Sequence, residues 1–222
     1  MLLFALGLSG CNLVQRTKGL FPDKTPVFKP TNVYASADVD QEIKRVVVLP
    51  IFSHAPGPDL AALDALFAGE LNKTLLFEVI AIDREELARM AGKSQIASVE
   101  LLPPALLHIL QTTYAAQAVL FTDLTYYDPY KPISIGVRCK LASLDSGDIL
   151  WAIDHLFDSS HPSVAKAATQ YFEQVNGMRH PISSSRNSLN SPQRFSQYVA
   201  YAVFETLPVP AERSYGTINE GQ

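Results

Sequence analysis

The sequence predicts an α/β protein in which one mixed β-sheet starts parallel, continues as an antiparallel hairpin and is covered by helices. Three observations predict it. Residues 45–52 and 77–82 are β-branched or apolar runs separated by an amphipathic stretch. A strand–helix–strand unit of this kind needs a crossover, which leaves its strands parallel. Residues 133–144 alternate apolar and polar up to Asp145-Ser146-Gly147-Asp148, and 149–158 returns as the antiparallel partner. Of the 222 residues 47% are hydrophobic, enough for one full core.

The elements follow in order. Arg45-Val46-Val47-Val48-Leu49-Pro50-Ile51-Phe52 does not alternate, as expected for a strand buried on both faces. Pro58-Asp59 opens a helix whose Leu60, Leu63, Leu66, Phe67, Leu71 and Leu75 recur at three- and four-residue steps. After the strand at 77–82, Asp83-Arg84-Glu85-Glu86 starts a second helix with acids in its first turn, and Gly92 stops it. Pro103-Pro104 introduces a third helix to about Tyr114, with Leu106, Leu107 and Leu110 inside. Residues 118–127 read as a strand. In the hairpin, Ile133, Ile135, Val137, Cys139 and Leu141 share the buried face, opposite Ser134, Gly136, Arg138 and Lys140. A helix spans 162–176, a mobile Ser-rich loop is expected over 177–190, and Ser191-Pro192 caps a last helix carrying Phe195, Tyr198, Val199, Ala202 and Val203. The folded domain is thus expected over 45–207, with a flexible tail at 208–222.

Composition narrows the function classes. Lys+Arg number 18 against 22 Asp+Glu, a net charge of −4, so no basic face for nucleic acid is expected. Two cysteines exclude a disulfide scaffold and a Cys-rich zinc module. No apolar run approaches the ~18 residues of a membrane-spanning helix.

The N-terminus carries the most specific signal. Met-Leu-Leu-Phe-Ala-Leu-Gly-Leu-Ser-Gly at 1–10 is an apolar segment ending in small residues, the pattern of an export signal. Leu8, Ser9 and Gly10 before Cys11 resemble a bacterial lipobox, which implies cleavage ahead of Cys11 and lipidation of its sulfur, palmitate included. No Lys or Arg precedes the apolar segment, so the true start is expected upstream, or the charged region trimmed. Several acyl chains on one cysteine hold a protein firmly at a bilayer. Asn12 follows where Asp would retain an enteric lipoprotein at the inner membrane, which implies a periplasm-facing position on the outer membrane. Residues 11–44, with Pro22, Pro26 and Pro30, read as an extended tether, part of which could lie on the domain through Phe21, Val27, Phe28 and Tyr34.

The chain also resembles the TolB N-terminal-like, or CsgG-like, group of envelope lipoproteins, and within it the lipoproteins of the meningococcal surface-antigen type. The resemblance rests on Val46-Val47-Val48-Leu49-Pro50, on Phe77-Glu78-Val79-Ile80 before Asp83-Arg84, on Pro103-Pro104-Ala105-Leu106, on Ala118-Val119-Leu120-Phe121, and on the stretch from Lys140 through Asp145-Ser146-Gly147-Asp148 to Trp151. It implies a small α/β domain and a role in assembling or regulating an envelope machine.

No residue pattern for catalysis stands out. His54 follows the first strand but lies in neither a GxGxxG nor a GxxxxGK[ST] loop, so it reads as a solvated loop histidine. Asp154 and Asp158 face away from His155 on a strand, and His161 returns only across a bend, so convergence on a metal is not expected. Ser146 is turn chemistry rather than a nucleophile elbow, and Cys139 is core. Arg179, Arg186 and Arg194 flank the Ser-rich loop as solvated cations. Tyr126, Tyr127 and Tyr130, with Pro129 and Pro132, offer stiff amphipathic contact area suited to a protein partner. The sequence therefore leads to a non-enzymatic outer-membrane lipoprotein, without cofactor or metal, acting as an assembly or accessory subunit. Its partners would be the membrane through the lipid anchor, envelope proteins and further copies of itself. The alternative is a component of a secretion channel of the curli-secretion type, which needs long membrane-spanning hairpins that the short Ser146-Gly147 hairpin, carrying Arg138 and Lys140, does not supply.

Overall fold

A computed structural model describes residues 28–36, 43–54, 57–175 and 187–208. The lipobox Leu8, Ser9, Gly10 and Cys11, most of the expected tether and Ser-rich loop, and the tail from 209 onward lie outside the described residues.

Seven strands form one open mixed sheet in the order β1-β7-β6-β5-β2-β4, with the two-residue β3 also pairing β5. The strands are β1 (Val33–Ala35), β2 (Arg45–Val48), β3 (Phe52–Ser53), β4 (Glu78–Ala81), β5 (Ala118–Asp128), β6 (Ser134–Ser143) and β7 (Ile149–Asp158). The helices are α1 (Leu60–Lys73), α2 (Arg84–Ala91), α3 (Pro104–Thr112), α4 (Pro162–Val175) and α5 (Pro192–Phe204). β2 runs parallel to β4 and to β5, whereas β5, β6, β7 and β1 are antiparallel neighbours. The mixed α/β class and the parallel start read from the sequence are those observed.

Each local choice has an identifiable cause. Asp59 caps α1 by accepting from the Ala62 N–H at 3.1 Å, and Asp83 caps α2 by accepting from Glu86 at 2.7 Å. Gly92 ends α2 with φ +71, a left-handed conformation that costs glycine little. β2 is buried on both faces as its sequence requires. Val46 and Val48 enter one apolar cluster and Val47 and Leu49 another. The first cluster packs α1, α4 and α5 onto the sheet through Phe67, Val164, Phe195 and Val199; the second seats α2 and α3 through Leu87, Leu106 and Leu110. In β6 and at Ile133 just before it, all five residues expected inside, from Ile133 to Leu141, are at most 1% exposed.

Four elements depart from expectation. The expected single strand 45–52 divides around Pro50, which has no N–H to give to the ladder, into β2 and β3. Leu75 leaves the helical stripe, with φ +56 and 76% exposure just after the end of α1. Part of the expected tether belongs to the sheet. Val33, Tyr34 and Ala35 pair with Ile153, Ala152 and Trp151, and Phe28 packs on Phe157 at 5.5 Å between ring centroids. Within the expected Ser-rich loop, Asn187–Asn190 forms a short 3₁₀ turn.

Candidate functional site

The two faces of the sheet are covered unequally, and this places the candidate surface. α2 and α3 cover the second face where β2, β4, the first half of β5 and the Ala142 end of β6 lie. Farther along, that face carries Tyr126 of β5, Gly136 of β6 and Leu156 of β7, which stand opposite one another in a single row. Residues paired across strands share a face. Tyr126 is 50% and Leu156 53% exposed, with the side-chain-free Gly136 between them. Two rows away the face continues through Lys140 and Ala152 to Tyr34 of β1, 55% exposed. Between these rows Arg138 binds Asp154 with Nε and Nη2 both 2.7 Å from Oδ2. The result is an aromatic and aliphatic strip with one exposed ion pair at its centre, a composition suited to a protein surface.

Of the three tyrosines singled out in the sequence, Tyr126 and Tyr130 are exposed, whereas Tyr127 packs against the first apolar cluster. The cause is a β-bulge. The β5–β6 register shifts between Leu124 and Tyr126, and the extra residue puts Leu124 and Tyr127 on the same inner side despite their odd spacing. Burial accordingly raises the pKa of the Tyr127 phenol. Tyr130 stands 79% exposed in the turn, its N–H given to Asp128 Oδ1 at 3.0 Å.

The other candidates are separately engaged. His54 lies edge-on to Phe52 at 4.6 Å. Asp154 belongs to Arg138, His155 packs against Phe28 and Phe157, Asp158 Oδ1 accepts from the Ser160 N–H, and His161 Nδ1 meets Ser163 Oγ at 2.9 Å. Among the described residues no three His, Cys, Asp or Glu side chains converge as metal ligands. Cys139 is fully buried, and burial pushes its thiol up to about 12, which keeps it protonated and unreactive. Ser146 Oγ accepts from the Asp148 N–H within the hairpin turn. Among the described residues no helix is long and apolar enough to cross a membrane.

Two polar knots escaped the sequence reading because their members are distant in the chain. Asp123, 5% exposed, accepts from Ser98 N at 2.8 Å and Ser98 Oγ at 2.5 Å, while Lys140 donates to the Ser98 carbonyl and lies over the Phe121 ring. Burial lowers the Lys140 pKa, partly offset by the Asp123 carboxylate. At the carboxyl ends of β2 and β4, a cavity of about 530 Å³ borders Asp64 and Arg84. Open α/β sheets commonly bind ligands at such ends. Here Arg84 is occupied by Asp64 (2.7 Å) and the Ile51 carbonyl (2.8 Å), and Asp64 also takes the Ile51 N–H at 2.7 Å. This clasp ties the β2–α1 connection to the start of α2.

No protein-family model matches the chain, and no curated protein matches it. Solved structures do resemble it at low identity. Lipoprotein GNA1162 from Neisseria meningitidis is 17% identical over 60% of this chain and 96% of its own, with a TM-score of 0.44. The PelC dodecamer from Paraburkholderia phytofirmans is 14% identical over 73% and 94%, with a TM-score of 0.40. The LpoB C-terminal domain from Salmonella enterica is 14% identical over 51% and 81%, with a TM-score of 0.35.

Proposed function

We propose that the chain is a lipid-anchored bacterial envelope protein, a non-enzymatic accessory subunit that acts by binding other envelope proteins. The observation that carries this reading is Leu8-Ser9-Gly10-Cys11 directly after an apolar segment, about twenty residues ahead of β1. A lipidated cysteine there tethers a folded body to a leaflet, and a tethered body meets membrane neighbours at raised local concentration. The outer membrane is the proposed destination, from Asn12.

The strip of Tyr34, Tyr126 and Leu156 is the proposed contact surface, with Tyr130 at its margin. Exposed aromatic rings contribute large contact area at low entropic cost, whether the partner is another envelope protein or a further copy of the chain. The accessory reading is favoured over a secretion channel by the β6–β7 hairpin. Its inner face, from Ile135 to Leu141 and Trp151 to Phe157, is buried against the helices of its own domain, and its turn is short.

Mass spectrometry of protein extracted from envelopes tests the anchor. A diacylated or triacylated Cys11 at the mature N-terminus is the expected result, with Cys11→Ser moving the protein into the soluble fraction. An unmodified N-terminal region in membrane-associated protein overturns the reading. Pull-downs from detergent-solubilised envelopes then test the surface. Tyr126→Ala with Leu156→Ala should reduce partner recovery at least about tenfold, the scale of one interface hot spot. Unchanged recovery places the interface elsewhere.

A further inference from the structure

On the second face of the sheet, β6 and β7 present three cross-strand pairs in succession: Gly136 with Leu156, Arg138 with Asp154, and Lys140 with Ala152. Each pair joins opposites. The first sets a position without a side chain beside an exposed leucine, the second a cation beside an anion, and the third a half-buried lysine beside an alanine. A second copy can be rotated by half a turn about an axis that runs along the strands between β6 and β7. Laid face to face with the first, it then sets each residue over the opposite member of its own row. Leu156 of one copy covers Gly136 of the other, Arg138 meets Asp154, and Lys140 covers Ala152. In such an isologous pairing every contact occurs twice. Sheets stacked in this way stand ~10 Å apart, room enough for interdigitated side chains.

The ion pair has groups to share. Arg138 Nε and Nη2 both bind Asp154 Oδ2, so that Nη1 and Oδ1 take no partner among the described residues. The half turn brings the spare donor of one copy to the spare acceptor of the other, and charge-assisted hydrogen bonds are the strong ones. The borders of the face agree. Ser98 fixes the loop ahead of α3 to Asp123 and Lys140, on the β5 side. That loop carries Val99 and Leu101, 76% and 94% exposed. Because β5 and β1 flank the β6–β7 pair on opposite sides, the same axis sets the β5 side of one copy over β1 of the other, where Tyr34 stands exposed. Among the described residues nine large hydrophobic side chains are exposed, and five of them, Tyr34, Val99, Leu101, Tyr126 and Leu156, lie on this face or its border. Such a concentration marks an interaction surface.

We propose that the second face binds the same face of a second copy of the chain, in a twofold dimer whose axis runs parallel to β6 and β7. This rests on the reading of the strip as the contact surface and names its occupant. A partner surface of one charge sign is repelled by either Arg138 or Asp154, and a uniformly bulky one meets Leu156 where it meets the Gly136 gap. The chain itself complements all three rows.

Sedimentation equilibrium of the full-length chain in density-matched detergent tests the dimer. The wild type is expected to dimerise in a concentration-dependent way. Arg138→Asp leaves two anions in the middle row and Asp154→Arg two cations, so each variant alone sets like charges against each other. Either should weaken dimerisation at least about tenfold. An equimolar mixture of the two should associate at least as tightly as the wild type, a rescue that misfolded chains cannot produce. Leu156→Lys, at a position already open to solvent, should abolish the dimer while retaining the native circular dichroism spectrum. A wild type that stays monomeric, single variants that dimerise like the wild type, a mixture that does not associate, or a Leu156→Lys dimer would each overturn the proposal. If the wild type is monomeric yet Tyr126→Ala with Leu156→Ala still loses its partner in the pull-down, the contact surface stands and serves a different protein. If recovery is also unchanged, the contact surface falls with the dimer.

Discussion

Gly136 sits opposite the β5 bulge, where an added Cβ would lie 2.7 Å from Thr125 Oγ1 and 3.2 Å from the Tyr126 backbone nitrogen. Gly136→Ala is therefore expected to destabilise by about 1–3 kcal/mol, as overpacking does, read as a lowered urea midpoint at unchanged slope. The bulge also separates the tyrosines. Tyr127→Ala should lower the midpoint clearly, whereas Tyr130→Ala should leave it within about 0.5 kcal/mol of wild type. His155 gives a pH dependence. Burial against Phe28 and Phe157 lowers its pKa, only partly countered by Asp154. On acidification the unfolded chain takes up this proton first, so the stability held while the ring is neutral is lost as the pH falls from about 7 through the histidine range. Denaturant titrations at stepped pH should show that loss in the wild type and a shallower one in His155→Gln. The residues of β6 were legible because strict alternation survives there. Tyr127 was not, because one inserted residue shifts the period and leaves no trace in composition.

At the scale of elements, caps and turns were legible wherever the determining contact is local. Asp59 and Asp83 each satisfy an N–H three residues on. Replacing either by Ala should cost about 1 kcal/mol, measurable by thermal unfolding, with the two losses close to additive because the caps serve different helices. β1 was illegible for the opposite reason. Its three residues show no period, and what makes them a strand is the free edge of β7 more than a hundred positions away. The knots at Asp123 and Asp64 share this property, since their partners lie 13 to 25 residues off in sequence.

At the scale of the molecule, the sheet separates two apolar clusters that share its central strands, with Val47 serving one side and Val46 and Val48 the other. Neither cluster can be lost without exposing the reverse face of β2 and β5. Unfolding is therefore expected to be a single cooperative transition. Trp151, fully buried with its indole N–H given to Thr206 Oγ1 at 3.2 Å, reports on the first cluster by fluorescence. Its curve should coincide with far-ultraviolet circular dichroism, and divergence would mean that the α2–α3 side melts separately. The fold class was legible because parallel and antiparallel pairings leave different local patterns. The half-bare second face was not, since it depends on how far two short helices reach across a sheet.

The N-terminal stretch joins the body at the outermost strand, where among the described residues three ladder positions, the flanking hydrogen bonds of Asn32 and Ser36 and the stacking of Phe28 fasten it. Tension drawn through that end would work on this seam first, peeling it away while the central strands stayed intact. Because Phe28 and Pro30 also line the cleft between α4 and α5, the same peeling would lay that cleft open, so the seam couples the outermost strand to the helical layer.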